Sequence, residues 1–163
     1  MKYFRFDDDI DTETVSTLVD KLQGVDGKIN LWFSTNGGEI TAMLFLIDFL
    51  NSRKKDIEIV LSCRLISAGT IILTNFKGKI ILDEQLDFIL FHCNDRQSYS
   101  IRDNNDPVCN KILTSQDIER NIIFIKKIKN KGLLTDKQLK QFSKGKDVVV
   151  YREQFKTWDI WKK

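Results

Sequence analysis

The chain has 163 residues, 42% of them apolar, including 11 Phe and 3 Trp, which is enough for one domain with a full core and excludes a disordered chain. Its net charge of +3 is too small to indicate nucleic acid or a membrane as the main partner. The three cysteines have no CxxC spacing, and the N-terminus lacks a signal-peptide pattern, so we expect reduced thiols in a cytoplasmic protein. The lysine-rich stretch from Lys126 to Lys146 has few aromatics, which indicates a solvated helical face rather than a nucleic-acid patch.

Strand and helix patterns alternate through the first half of the chain. Strands are predicted at Lys2–Phe6, Lys28–Phe33, Ile57–Ser62, Ile80–Leu82 and Phe88–Phe91, and helices between Asp11 and Gly24, at Ile40–Leu50 and from Ser67 to about Asn75. Asp11 or Thr12 caps the first helix, whose apolar stripe consists of Val15, Leu18, Val19 and Leu22. The alternation predicts an α/β domain over residues 1–163, with a mainly parallel sheet, right-handed crossovers and flanking helices.

The second half is predicted to be mostly helical. A polar loop or irregular hairpin contains the only proline, Pro107, and a long helix follows from about Ser115 to Lys131. That helix has one apolar face, made of Ile118, Ile122, Ile125 and Ile128. Thr135 caps a shorter helix, and the last elements are a strand at Val148–Tyr151 and a helical turn at Glu153–Trp158.

Two glycines, Gly37 and Gly38, lie between a buried strand and an apolar helix. Exposed backbone amides near a helix N-terminus can hold an anion or a developing oxyanion. Two glycines are also what an ordinary tight turn requires. The pair therefore indicates a functional site only in combination with other residues at the same edge of the sheet.

Ser67 and His92 each follow a predicted strand. Ser67 precedes Ala68 and Gly69 at a strand-to-helix corner, which is half of the GxSxG nucleophile elbow because Leu65 occupies the first glycine position. His92 is the only histidine in the chain. Each has a structural alternative, an N-cap serine and a hydrogen-bonded histidine at a strand end. With the glycine turn they share the sheet edge where α/β folds place their sites, so we predict a nucleophile and its general base.

A third residue must orient the imidazole of the base, and a carboxylate is the usual choice. Asp147 is our candidate because it lies in the turn before the last predicted strand, whereas Asp95 is in a predicted loop. An Asp beside a glycine-containing turn has a structural explanation as well. We assign Asp48, on the helix after the glycine turn, to a structural or interface pair.

Several segments resemble the caseinolytic Clp protease proteolytic subunit family, the serine peptidases of the Clp/crotonase fold. The family's strand, Pro-Gly-Gly turn and helix are matched by INLWFSTNGGEITAMLFLIDFL, and its Ala-Ser-Met-Gly nucleophile segment by LISAGTIILTNFKGKIIL. FILFH is similar to its Met-Ile-His strand end, and DVVVYREQF to the segment that starts with the triad aspartate. The resemblance extends from Tyr3 to about Ile160. Asn36 replaces the proline of the turn, and Leu65 and Ile66 replace two small residues.

The resemblance implies a Clp/crotonase-like fold of repeated β-β-α units with a protruding handle helix. It implies no metal and no cofactor. It places Ser67, His92 and Asp147 in a catalytic triad, the amides of Gly38 and Ala68 in the oxyanion hole, and Gly37, Glu39 and Ile40 at the substrate. An extended substrate would lie beside Glu39–Ile40 and the Ser98–Ile101 run, by strand addition.

The resemblance further implies a serine endopeptidase that cleaves unfolded polypeptides or peptides inside a ring-shaped homo-oligomer, with the Ser115–Lys131 helix between rings. The resemblance implies an AAA+ unfoldase ATPase as partner, although we expect the axial pore loops of the proteolytic subunit to be absent because the chain begins almost at the first core strand. A non-catalytic ring subunit that keeps the fold for assembly is the alternative that the bulk of Leu65 and Ile66 favours. A crotonase-like acyl-CoA enzyme would share the sheet and the oxyanion amides but would need no triad.

Overall fold

A computed structural model gives the structure of residues 1–92, 120 and 122–161. Several predicted features lie outside the described residues, namely Cys93, Asp95, the Ser98–Ile101 run, Pro107, Cys109 and the first part of the long helix that begins at Ser115. None of the helices within the described ranges is long and apolar enough to cross a membrane.

Strands and helices alternate along the described chain. The strands are β1 (Lys2–Asp7), β2 (Ile29–Thr35), β3 (Ile57–Ile66), β4 (Ile80–Leu82), β5 (Phe88–Phe91) and β6 (Val148–Tyr151). The helices are α1 (Thr12–Gln23), α2 (Ile40–Ser52), α3 (Ile72–Asn75), α4 (residues 122–130), α5 (Asp136–Phe142) and α6 (Arg152–Phe155), with 3-10 turns at Ser67–Ile71 and Asp159–Trp161. The predicted α/β alternation is confirmed.

The strands form one sheet in the order β1-β2-β3-β5-β6, with β4 beside the first half of β3. Among the described strands, every pairing is parallel except that of β5 with β6, which is antiparallel. The sheet is therefore mainly parallel and flanked by helices, as predicted. The repeated β-β-α units and the protruding handle helix stay predictions.

The first helix forms because its start is capped and one face is apolar. The Asp11 carboxylate accepts a hydrogen bond from the Thr14 backbone N–H at 2.8 Å, and the Thr14 hydroxyl accepts one from the Asp11 backbone N–H at 3.2 Å, which is a capping box. The predicted apolar stripe of α1 is buried in the core. Asp11 rather than Thr12 is the N-cap residue.

A bulge in β3 directs the chain into the corner at Ser67. Between Phe33 and Thr35, two steps along β2 are matched by four steps along β3, from Leu61 to Leu65. Cys63 lies in this bulge with a φ of 55°. The edge partner of β3 also changes there, because β4 pairs with Ile59–Leu61 and β5 with Arg64–Ile66. Bulges bend a strand and are common next to active sites, and this one extends β3 beyond its predicted end at Ser62.

Two contacts fix the C-terminal elements to the sheet. The Arg152 guanidinium donates hydrogen bonds to the carbonyl groups of Asp83, Glu84 and Leu86 at 2.8–3.0 Å, which ties the end of β6 to the turn between β4 and β5. The ring of Phe91 packs edge-on against the rings of Phe142 and Trp158. The elements that precede and follow β6 are thereby fixed to β5 and to the turn before it.

Within the described residues, the apolar face predicted for the long helix is buried toward its C-terminal end. In α4, Ile128 is fully buried and Ile125 packs partly against the core, but Ile122 is 46% exposed and Ile118 is outside the described residues. Phe124 packs against the core instead, with its ring edge-on to Phe142 at 6.1 Å. Ile122 is therefore not part of the face that packs on the core, which includes Phe124.

Candidate active site

His92 and Asp147 are in hydrogen-bond contact, with 2.7 Å between His92 Nδ1 and Asp147 Oδ1. The sheet register produces this contact. Since Phe91 pairs with Val148 in the antiparallel β5–β6 ladder, the residue after Phe91 and the residue before Val148 face each other at the next position. The side chains are 42% and 51% exposed, so the pair lies at the surface, at the edge of the sheet.

Ser67 occupies a strained corner at the end of β3. Its φ is 52°, in the left-handed region that costs an L-residue about 1–2 kcal/mol. The Thr70 hydroxyl donates a hydrogen bond to the Ser67 carbonyl at 2.7 Å and supports the corner. A serine held in strained backbone between a strand and a helix is typical of a nucleophile elbow, even though Leu65 stands where that motif has its first glycine.

The glycine turn packs directly against the serine corner. A Cβ atom on Gly37 would lie 2.7 Å from Ser67 Cβ and 2.9 Å from the Ile66 carbonyl oxygen. Gly37 also has a φ of 101°, which favours glycine. This position therefore requires glycine for two reasons, its backbone conformation and its contact with Ser67.

The backbone N–H groups of Gly38 and Ala68 lie outside the local bridge and helix hydrogen bonds. Gly38 forms a parallel bridge with Ile10, in which the Ile10 N–H donates to the Gly37 carbonyl and the Glu39 N–H donates to the Ile10 carbonyl, both at 2.7 Å. In a parallel bridge the N–H of the central residue points to the opposite side. The Ala68 N–H is in the first turn of a 3-10 helix, where no intrahelical acceptor exists. Two such amides can stabilise an oxyanion.

Thr35 links the glycine turn to the serine corner, and the sequence reasoning missed it. It is fully buried, and its Oγ1 accepts a hydrogen bond from the Gly37 N–H at 3.0 Å. A Cβ atom on Gly69 would lie 2.4 Å from Thr35 Cγ2, so the methyl group fills the space that Gly69 leaves open. The available signal was a threonine two residues before a glycine, which is the spacing of a side-chain turn.

A polar network fixes the outer side of the glycine turn. Asn36 accepts a hydrogen bond from Arg64 Nε at 2.7 Å and donates one to Asp9 at 3.1 Å. A second Arg64 nitrogen lies 3.5 Å from the Asp7 carboxylate. The neighbouring Ser34 hydroxyl has the largest effect on the pKa of Asp7 and lowers it, burial opposes this, and Arg5 and Arg64 lower it further. Asn36 thus fixes the turn through side-chain contacts.

A cavity of about 200 Å³ lies beside both the candidate serine and the candidate histidine. Ser67, Ala68 and His92 line it with apolar side chains of α2 and α4, including Ile40 and Leu44 from α2. Leu65, whose bulk was expected to stand near the nucleophile, is fully buried in the core and lies against Gly69. Its side chain therefore does not obstruct the approach to Ser67.

Among the described residues, Glu39 and Asp48 form no hydrogen bond with the serine corner. The Glu39 backbone N–H donates a hydrogen bond to the Ile10 carbonyl, and the Glu39 carboxylate accepts one from the Thr12 hydroxyl at 3.3 Å. Asp48 is exposed on α2. Within the described part of the chain, no hydrogen bond joins the Ser67 hydroxyl to His92, and no group of three or more His, Cys, Asp and Glu side chains is placed to hold a metal ion.

Comparisons with known proteins bear on the fold. No protein-family model matches the sequence, and no curated protein matches it. Among solved structures, the chain is similar to the ClpP protease catalytic domain from Plasmodium falciparum, with a TM-score of 0.60 and 17% sequence identity. The similarity covers 97% of this chain and 81% of that one. The protein therefore has a ClpP-like fold, a mostly parallel sheet flanked by helices.

Proposed function

We propose that the protein is a serine-type endopeptidase that cleaves unfolded polypeptides or peptides. The observation that carries this proposal is the strained Ser67, which lines the same cavity as His92. Asp147 is hydrogen-bonded to Nδ1 of the same imidazole. A nucleophile, a base and an acid that orients the base are the parts required for acyl transfer. The ClpP-like fold supports the proposal because a solved structure with this fold is described as a protease catalytic domain.

In the proposed reaction, Ser67 Oγ attacks the scissile carbonyl carbon while His92 Nε2 takes the hydroxyl proton. The amides of Gly38 and Ala68 stabilise the negative oxygen of the tetrahedral intermediate. The C–N bond then breaks, the imidazolium gives its proton to the leaving amine, and an acyl-enzyme remains. Water repeats the sequence with His92 as base, which releases the carboxylic acid and restores Ser67.

Asp147 sets the protonation pattern of the imidazole. Its carboxylate accepts the Nδ1–H of His92, which leaves Nε2 as the nitrogen that can accept the serine proton. The Ser67–His92 hydrogen bond forms when substrate is bound, because substrate-free sites often have long or poorly aligned catalytic contacts.

Substrate recognition and assembly are part of the proposal. An extended peptide lies beside Gly37, Glu39 and Ile40, and Ile40 contributes to the cavity wall. Copies of the chain assemble into rings that enclose the sites, as the ClpP-like fold suggests. An AAA+ unfoldase that delivers substrate to these rings is the partner we propose.

A fluorophosphonate probe tests the peptidase proposal. Intact protein should be labelled at Ser67, as located by peptide mass spectrometry, and should hydrolyse unstructured peptides. Ser67→Ala should lose both properties, whereas Ser16→Ala, a control at an exposed serine on α1, should keep them. Absence of labelling together with absence of hydrolysis would contradict the proposal.

A second candidate function is a non-catalytic subunit that keeps this fold for assembly. The lack of a hydrogen bond between Ser67 and His92 among the described residues favours it. This candidate predicts a defined oligomer in analytical ultracentrifugation whose Ser67 does not react even at high probe concentration. Labelling at Ser67 would exclude it.

A further inference from the structure

The cavity beside Ser67 combines an apolar wall with two cationic residues. Its apolar side chains include Leu44, Ile71 and Ile123, and its cationic residues are Arg120 and Lys127. Among the described lining residues there is no carboxylate. A pocket of this composition attracts a group with a hydrocarbon stem and a negatively charged end.

Lys127 is held at the cavity by a neutral partner. Its Nζ donates a hydrogen bond to Asn75 Oδ1. The Asn75 amide nitrogen donates to the Ile71 carbonyl at 3.0 Å and to the Thr74 hydroxyl at 2.8 Å, so the amide oxygen is the end that faces the lysine. An ammonium group has three donors, and a neutral acceptor leaves its charge uncompensated. The ammonium is thus positioned without being neutralised.

The surrounding charges do not neutralise this position within the described chain. No ion pair joins Lys127 to a carboxylate there. The Asp147 carboxylate is occupied by His92 Nδ1. Arg120 precedes Lys127 by seven residues in the sequence, which places both on the same side of a helix. Both residues line the cavity, and Lys127 is the one whose charge a described hydrogen bond fixes in position, so Lys127 supplies the main attraction for an anion.

We propose that this cavity selects a substrate side chain that ends in a carboxylate, with glutamate preferred, so that the protein cleaves after acidic residues. The inference rests on the proposed peptidase function and adds the class of residue that the enzyme accepts. The methylene groups of glutamate contact the isoleucine and leucine wall, and its carboxylate reaches Lys127. Glutamine has the same shape without the charge and therefore isolates the electrostatic contribution.

Matched peptides test the inference. Three internally quenched peptides, acetylated and amidated at their ends, carry Glu, Gln or Leu before the scissile bond. We expect kcat/KM for the Glu peptide to exceed that for the Gln peptide by about threefold to fivefold at low salt, the size expected for one exposed charge pair, and the ratio should fall in 1 M salt. Equal values for Glu and Gln overturn the inference.

Two lysine variants assign the preference. Lys127→Gln should bring the Glu-to-Gln ratio close to one, while Lys126→Gln, at an adjacent residue that is not part of the cavity lining, should leave it unchanged. A fourth peptide with Gln and a free C-terminus tests a terminal carboxylate as the anion. A gain from the free C-terminus that exceeds the gain from Glu overturns the assignment to a side chain, as does an unchanged ratio in Lys127→Gln.

Binding separates this inference from the peptidase proposal. If wild-type protein hydrolyses none of the peptides, the peptidase proposal fails. The dissociation constants of the Glu and Gln peptides are then measured on Ser67→Ala protein by fluorescence anisotropy. A preference for Glu that disappears in Ser67→Ala/Lys127→Gln supports the anion site, and equal binding overturns it.

Discussion

Thr35 Oγ1 accepts the Gly37 N–H at 3.0 Å, and through this bond a fully buried residue of β2 holds the turn that touches Ser67. The same side chain supports the nucleophile segment, since its methyl group faces Gly69. One residue thus fixes the spacing between the proposed oxyanion amides and the proposed nucleophile.

The two functions of Thr35 can be separated with a pair of variants. Thr35→Val keeps the shape but leaves the Gly37 N–H without its acceptor, which costs about 1–3 kcal/mol. We expect kcat to fall on the order of tenfold to a hundredfold with little change in KM. Thr35→Ser keeps the acceptor and should retain most activity, while loss of the methyl group lowers the free energy of unfolding by about 1 kcal/mol. Steady-state kinetics and urea denaturation provide both measurements, and equal kcat values for the two variants would contradict this role.

Gly37→Ala should abolish labelling of Ser67. The new methyl group would meet Ser67 Cβ at 2.7 Å, and alanine is strained at a φ of 101°, so the serine corner must shift. Gly27→Ala is the matched control because Gly27 also has a positive φ, 84°, but nothing lies within 4 Å of its added Cβ. The control should cost about 1 kcal/mol of stability and leave labelling intact. Equal labelling of the two variants would show that the contact with Ser67 does not matter.

Asp147→Asn should abolish the proposed peptidase activity without unfolding the protein. The amide can donate to His92 Nδ1 and so favours the tautomer in which Nε2 carries the proton. We expect kcat to fall on the order of 10³–10⁴-fold, with little change in the thermal midpoint because the pair is exposed. His92 is the only histidine, so the two ¹⁵N signals of a histidine-labelled sample belong to it alone. In wild type the signals should show the proton on Nδ1, and in the variant they should show it on Nε2. If the proton is on the same nitrogen in both proteins, the proposed role of the carboxylate is contradicted.

The free energy of unfolding should depend on Asp7 in a pH-dependent way. The Ser34 hydroxyl, Arg5 and Arg64 hold the pKa of Asp7 below its ordinary value of 3.8 in the folded protein, despite opposing burial. A lowered folded pKa adds stability that is fully present above 3.8 and is lost as the pH falls through the folded pKa. Asp7→Asn should therefore be less stable than wild type near pH 6, and the difference should shrink below pH 3.8. Urea denaturation across this range, with Asp8→Asn as an exposed neighbouring control, measures it; a constant difference would contradict the expectation.

The strands were largely predictable where their sequences are short and apolar. Phe88–Phe91 and Val148–Tyr151 have the predicted bounds, because each is a brief β-branched or aromatic run bordered by polar residues. Their antiparallel pairing was not predictable, since it depends on contacts between distant parts of the chain. β3 was predicted to end at Ser62, because the polar residues there resemble a strand end, whereas a bulge with a left-handed Cys63 carries the strand to Ile66.

The candidate site was predictable to the extent that its residues have distinctive chemistry. The only histidine, a corner serine and a glycine pair are visible in the sequence, and the structure places Ser67 and His92 on one cavity and Asp147 beside the imidazole. Thr35 was missed because a threonine near the end of a strand is ordinary, and its importance depends on what packs around it. Leu65 was expected to crowd the nucleophile because its side chain is large. Whether it does so depends on where the side chain points, and in the structure it is buried in the core.

The contact between His92 and Asp147 joins two residues 55 positions apart, and the β5–β6 ladder brings them together. A chain under synthesis emerges with its N-terminal part first, so the serine corner and the histidine are made long before the carboxylate that orients the base. In a peptidase of the proposed kind, full activity therefore begins only when β6 has paired with β5. The order of synthesis would thereby protect the growing chain and its neighbours from premature cleavage.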